Sequence, residues 1–396
     1  MSSINTKDIL AENDPDLKPE SELNTFDAFI QSGFDNPVEL PLGLSVVSEV
    51  PKRKATRKCK PFQPLIMTLT MLLLWLTLPL CAQFSGWVEL GSAYTDNAFQ
   101  LSGYDIRRFE TGNPELKFAK ASDDVILHAK LNAAYELQWH WWHFQPSLQI
   151  NSAQNVLNPD KQKLDATAGV IISRRLGEIG LYYGYYPNVY LRDYIDTGGT
   201  NQLQAFAYAK NQYRADLQLK PLKKSTATLE FKREDFFYNE YFTEFDGKIE
   251  TWKLGWQQSL PTFYLDASYA FRVYETDADK IVTASEDASY ESNIYSVGIQ
   301  MKKMPVDTKY PNLLWRPELK LGYEQRYFQG SDNWHAGRTD IINNTDATLQ
   351  FYFGSNWNIN LDYSHIFRNV DAIDSSVQKY KDYSENQCGV SARYRF

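Results

Sequence analysis

The sequence predicts an all-β fold: a closed antiparallel transmembrane β-barrel of about fourteen strands, preceded by a disordered N-terminal segment and a signal-peptide helix. Two observations point there at once. The chain is 15% aromatic, with 26 Tyr, 22 Phe and 10 Trp, yet its mean hydropathy is −0.48. From Gln83 onward, apolar residues recur at every second position in segment after segment. Strands with one oily and one wet face produce both signals. A helical membrane protein, with spans of about 20 apolar residues, produces neither. The net charge of −8 gives no basic footprint for nucleic acid. Cys59, Cys81 and Cys388 are too few for a disulfide framework.

Three regions follow from the patterning. Residues 1–50 are acidic, with Asp8, Glu12, Asp14, Asp16, Glu20, Glu22, Asp27 and Asp35 opposed only by Lys7 and Lys18. Such a segment buries too little apolar surface to order itself. An acidic extension ahead of an export signal is unusual, and a start downstream of Met1 is the other reading, although starting at Met67 removes the basic cluster. Residues 51–82 combine that cluster (Lys52, Arg53, Lys54, Arg57, Lys58, Lys60) with the apolar run Leu65 to Leu80 and then Cys81 and Ala82. This is the layout of a secretory signal peptide cleaved after Ala82. A retained signal-anchor helix and a lipid anchor on Cys81 stay open as alternatives. Residues 83–396 form the barrel.

Each strand in the third region obeys one rule, alternation bounded by turn formers. Trp87 to Tyr94 sets Val88, Leu90 and Tyr94 against Glu89, Gly91 and Ala93. A long polar stretch from about Asp96 to Asp123 follows, with room for a hairpin between Phe99 and Phe118. Val125 to Gln138 alternates most cleanly, Leu127, Leu131 and Leu137 opposing His128, Lys130 and Glu136. The aromatic turn Trp139 to His143 suits a membrane interface. Strands then run through Phe144 to Asn151, Leu164 to Ile172, Ile179 to Arg192, a segment ending at Leu219, and Ala227 to Glu234. Trp252, Leu254 and Trp256 mark the eighth, Phe263 to Val273 the ninth and Asn293 to Lys302 the tenth. Glu318 to Tyr327, Thr339 to Phe353, Trp357 to Arg368 and Gln387 to Phe396 complete the set.

The connections alternate short and long, as expected of an even-stranded barrel with short periplasmic turns and long outer loops. Only the Pro305 connection is long for its class. In hydrocarbon every backbone polar group needs an internal partner, so a spanning sheet has to close. The last strand reads QCGVSARYRF, with Val390, Ala392, Tyr394 and the terminal Phe396 on the oily face. That pattern resembles the closing strand of Gram-negative outer-membrane β-barrels. The resemblance implies Sec-type export, signal cleavage, residence in the cell outer membrane among its lipids, and recognition of the C-terminal strand by the barrel-assembly machinery.

An enclosed polar interior makes the inward charges the candidate site. They are Lys130, Glu136, Arg214, Asp216, Glu230, Lys232, Asp266, Arg272, Glu318, Lys320, Glu324, Arg326, Asp362, Arg393 and Arg395. Such residues tune permeation when they line a pore, or close it when they pair into a network; both readings stand here. The expected function is a porin-like channel for small polar solutes, with no cofactor and no metal. An export or assembly barrel for surface lipoprotein or exopolysaccharide is the alternative, weakened because those relatives carry a helical-repeat periplasmic domain. A barrel enzyme ranks last: Asp362, Ser364 and His365 lie close in sequence, but alternation sends Ser364 and His365 to opposite faces.

Overall fold

A computed structural model describes residues 83–196, 200, 202–278, 287–307 and 313–396. The N-terminal acidic segment and the signal-peptide region lie outside the described residues. Fourteen long strands form one antiparallel sheet: β1 (Gln83–Thr95), β2 (Asp124–Trp139), β3 (Trp142–Asn155), β4 (Lys163–Arg174), β5 (Gly177–Ile195), β6 (Leu203–Leu219) and β7 (Ser225–Tyr238), then β8 (Gly247–Ser259), β9 (Phe263–Thr276), β10 (Tyr290–Met301), β11 (Leu313–Phe328), β12 (Thr339–Phe353), β13 (Trp357–Asp371) and β14 (Tyr383–Arg395). Each strand pairs with its sequence neighbours. The ring closes where β1 meets β14, from Trp87 opposite Arg395 to Thr95 opposite Gln387. Followed once round, the pairings accumulate a displacement of about 16 residues. For fourteen strands that gives a tilt of roughly 38° and a backbone diameter of about 27 Å.

Exposure runs opposite to that of a soluble sheet. The outward residues of β8, Trp252, Leu254 and Trp256, are all exposed, while Thr251, the inward residue just before Trp252, is buried. Leu90, at 61% exposure, stands beside Glu89 at 2%. An apolar outer surface of this extent requires lipid around it. Aromatic side chains border it at both ends. Toward the long loops, Tyr269, Tyr295 and Tyr323 form a ladder with ring centroids 5.3 and 6.3 Å apart. Toward the short turns, Trp357 lies 4.8 Å from Tyr394, and Phe84 stacks on Phe396 at 5.9 Å. Leu137 departs from the outward pattern: opposite Phe144 in the register, it is buried.

The tight turn after β2 takes a positive φ at His140, and the turn after β12 takes one at Gly354, as hairpins with little connecting chain require. The Pro305 connection is long because Met304–Pro305 adds a two-residue strand on the end of β11. The long connections build structure of their own. Asp96 to Asp123 holds no hairpin: it forms helix α1 (Gly103–Glu110), capped by the Ser102 hydroxyl accepting from Asp105 N–H. A 3-10 turn, Pro114–Leu116, follows. Helix α2 (Ser375–Lys381) lies between β13 and β14, its N-cap Asp374 accepting from Ser376 N–H. The polar composition of residues 96–123 conceals a small core: Phe99, Leu101, Leu116 and Ala119 bury themselves against Tyr190 of β5.

Candidate functional site: the charged interior

The register sends alternate residues inward, and buried charges on that face sort into units of one carboxylate between two cations. Glu89 on β1 faces Lys130 on β2 at 2.9 Å and Arg393 on β14 at 2.7 Å, so one carboxylate pins the seam to both neighbours. Glu234 on β7 binds Lys210 on β6 at 2.8 Å and lies 3.4 Å from Lys232. Glu324 on β11 binds Arg272 on β9 at 3.0 Å and Arg326 at 2.9 Å. Asp340 on β12 receives Arg338 at 2.8 Å and also Arg368 of β13. All four carboxylates are at most 5% exposed. Charges so deeply desolvated persist only when paired and hydrogen-bonded.

Inward cations also rest on ring faces. Arg214 stacks 3.8 Å from the centroid of Tyr182, with Asp216 3.7 Å away, and Arg393 lies over Trp87 at 4.3 Å. The remaining sequence candidates also sit on the inward face. Gln300 of β10 donates to Glu318 at 2.6 Å, and Thr348 donates to Asp362 at 2.9 Å. Asp266 lies against Gly298, where a Cβ would fall 2.4 Å from its carboxylate. Asn344 crosses Gly322 in the same way. Glycine at these positions leaves the room in which the Asp266 and Asn344 side chains lie against the wall. Glu136, Lys320 and Arg395 are partly exposed, whereas Glu230 is buried.

Exposure divides the interior by depth. Toward the short turns the wall is partly wet, with Lys130, Lys253, Asp266, Lys320 and Asp346 half-buried and Asp362 exposed. Toward the long loops it is packed. Aromatic rings follow the inner face from strand to strand: Phe206 to Tyr238 at 4.8 Å, Tyr208 to Phe236 at 5.2 Å, Tyr274 to Tyr290 at 5.5 Å and Tyr290 to Phe328 at 5.4 Å. Phe242 and Phe245, from the β7–β8 connection, cover Phe206. On the other side the α1 segment is latched down. Arg192 of β5 donates to the Phe99 carbonyl at 2.7 Å, and Gln100 donates to Glu385 of β14 at 3.0 Å. Lys161 donates to the Ala98 carbonyl. Tyr104 of α1 meets Tyr380 of α2 edge to face at 5.0 Å.

Sequence reading did not single out Glu89, Lys210, Glu234, Asp340, Arg368 or Glu385. Each stands in phase with the inward residues of its strand, so the period itself was the available signal. His365 lies on the outward face, its Nδ1 2.9 Å from Asn386, and Ser364 lies on the inward one. Among the described residues, no three His, Cys, Asp or Glu side chains are grouped to hold a metal.

No family model and no curated protein matches the chain. Solved structures do. An anion-selective porin from Comamonas acidovorans aligns over 80% of this chain and 99% of its own at 10% identity and a TM-score of 0.41. OmpT of Vibrio cholerae, in its trimer form, aligns over 80% and 99% at 6% identity and 0.40. A bacterial polysaccharide outer membrane secretin aligns over 78% and 98% at 9% identity and 0.38. Likeness at this distance extends to the barrel architecture alone. The closed ring, lipid-facing surface and aromatic borders make this protein a fourteen-strand β-barrel of the outer-membrane type. The interior that the ring encloses is polar and charged.

Proposed function

We propose that the barrel is a porin-like channel of the cell outer membrane for small polar solutes, with a wide vestibule at the short-turn end and a narrow passage at the long-loop end. The observation that carries the reading is the two-part interior. Half-buried charges on a wall of small residues line one half, and an ion-paired, aromatic-packed belt lines the other. Short turns face the periplasm in such barrels, so the narrow end faces outside. Fixed charges of both signs around an aqueous bore favour hydrated polar solutes over apolar ones.

Planar-bilayer recording of the full chain tests the proposal. Discrete conductance steps, smaller than those of an unobstructed barrel of this diameter, are expected. A bilayer that contains inserted protein and carries no steps under any voltage would overturn it.

A further inference from the structure

The two ends of the barrel carry opposite charge. At the short-turn end the β4–β5 turn presents Arg174 and Arg175, and the β6–β7 turn presents Lys220, Lys223 and Lys224, all exposed. None of these five forms an ion pair with another described residue. The long-loop connections are acidic instead, holding Asp196, Glu244, Asp246, Asp287 and Asp332 among others. A chain of net charge −8 therefore concentrates unpaired cations at one rim.

The same turns expose large apolar side chains beside the cations. Leu176 follows Arg175 and is 74% exposed, Leu222 sits between Lys220 and Lys223, and Trp141 tips the β2–β3 turn. Arg174 also lies over the Trp142 ring at 5.3 Å. These side chains lie in the short turns, at the same end of the barrel as the aromatic border of Phe84, Trp357 and Phe396. Water is a poor partner for an apolar tip flanked by cations. An interface with acyl chains on one side and anionic phosphates on the other satisfies both.

We propose that this rim is a binding surface for anionic phospholipid headgroups of the inner leaflet, the cations taking the phosphates and the apolar tips anchoring in the acyl region. The inference rests on the membrane-spanning reading above. Each Lys or Arg held near an anionic surface contributes favourably, and salt screens the contribution.

The test is the thermal unfolding midpoint of the full chain, followed by heat-dependent gel mobility in vesicles of phosphatidylcholine alone or with phosphatidylglycerol. The midpoint is expected to rise by several degrees with phosphatidylglycerol at low salt and to lose that rise in molar salt. A variant carrying Arg174→Gln, Arg175→Gln, Lys220→Gln, Lys223→Gln and Lys224→Gln should show no rise. A control with Lys117→Gln and Lys120→Gln, at the opposite end, should keep it. Equal midpoints of the unmodified chain in both vesicles, or a rise that survives in the five-site variant, would overturn the proposal. Failure to insert into either vesicle would instead overturn the spanning reading on which it depends.

Discussion

Phe396 and Gly86 exchange both backbone hydrogen bonds, Gly86 N–H donating to Phe396 O at 3.1 Å and Phe396 N–H to Gly86 O at 3.0 Å. The last residue of the chain thus extends the β1–β14 ladder, and its ring lies over the position where Gly86 has no side chain. A Cβ on Gly86 would stand 2.6 Å from the Asn132 carbonyl and 2.8 Å from the Phe396 ring. The ring can rotate away, but the carbonyl belongs to the β2 ladder and cannot.

Gly86→Ala is therefore expected to destabilise the barrel by about 1–3 kcal/mol, the usual cost of overpacking. Urea unfolding of the refolded protein measures it. Adding Phe396→Ala should recover little, because the Asn132 contact remains; full recovery would show that the ring alone sets the constraint.

Glu89 joins three strands across the seam, so Glu89→Gln leaves Lys130 and Arg393 facing each other without their shared carboxylate. Breaking a buried pair in this way costs about 3–5 kcal/mol. The loss should exceed that of Asp362→Asn, because Asp362 is exposed and sits at an open part of the wall. Unfolding midpoints of the two variants give the comparison.

The α1 segment packs on Tyr190 and is tied to the wall by hydrogen bonds to β5 and to β14. Arg192→Ala removes the donor to the Phe99 carbonyl, and Gln100→Ala removes the link to Glu385. The double variant is expected to raise single-channel conductance or the frequency of opening, with the unfolding midpoint lowered only modestly. Unchanged currents would mean that the segment does not limit passage.

Asp332 joins the β9–β10 and β11–β12 connections. Its carboxylate accepts from the Asp287 N–H at 3.0 Å, from the Trp334 N–H at 2.9 Å and meets His335 Nδ1 at 2.9 Å. Burial raises its pKa, but the hydrogen bond and charge of His335 and the backbone donors outweigh burial and hold it below the ordinary aspartate range. A depressed carboxyl pKa stabilises the folded state above the unfolded value, roughly 4, and that stability disappears as pH falls through the folded value. Proteolysis of these connections by an acid-active protease should be slow at pH 5 and rise well below pH 4. Asp332→Asn should be cleaved readily at both.

The fourteen strands could be read from the sequence because lipid enforces alternation wherever a strand crosses it. The ends could not. β5 runs on to Ile195 and β13 to Asp371. Beyond the tyrosine border the outward face takes polar residues, Arg233 pairing there with Asp235 at 2.9 Å, while the inward face carries packed rings such as Tyr194 and Phe206, so the oily-out, polar-in contrast that marks the period is lost. Residues 96–123 misled for a different reason. Their few apolar side chains are spaced for neither a strand nor a long helix, and they become a core only once folded against Tyr190, nearly seventy positions later. Inward charges were visible one by one, but which cation meets which carboxylate depends on register between strands, and Glu89 and Arg393 are 304 positions apart.

That separation governs assembly. The two strands of the seam are made first and last among the fourteen, so during biogenesis each presents a bare edge with open hydrogen-bonding groups until the other arrives. An unescorted intermediate would stick to its own copies along those edges. Long-range closure is also the entropically slowest contact to form. The organism therefore has to shield an open, curved ribbon for the whole interval, and a chain truncated just short of Tyr383 should be a potent seed for aggregation, not a smaller barrel.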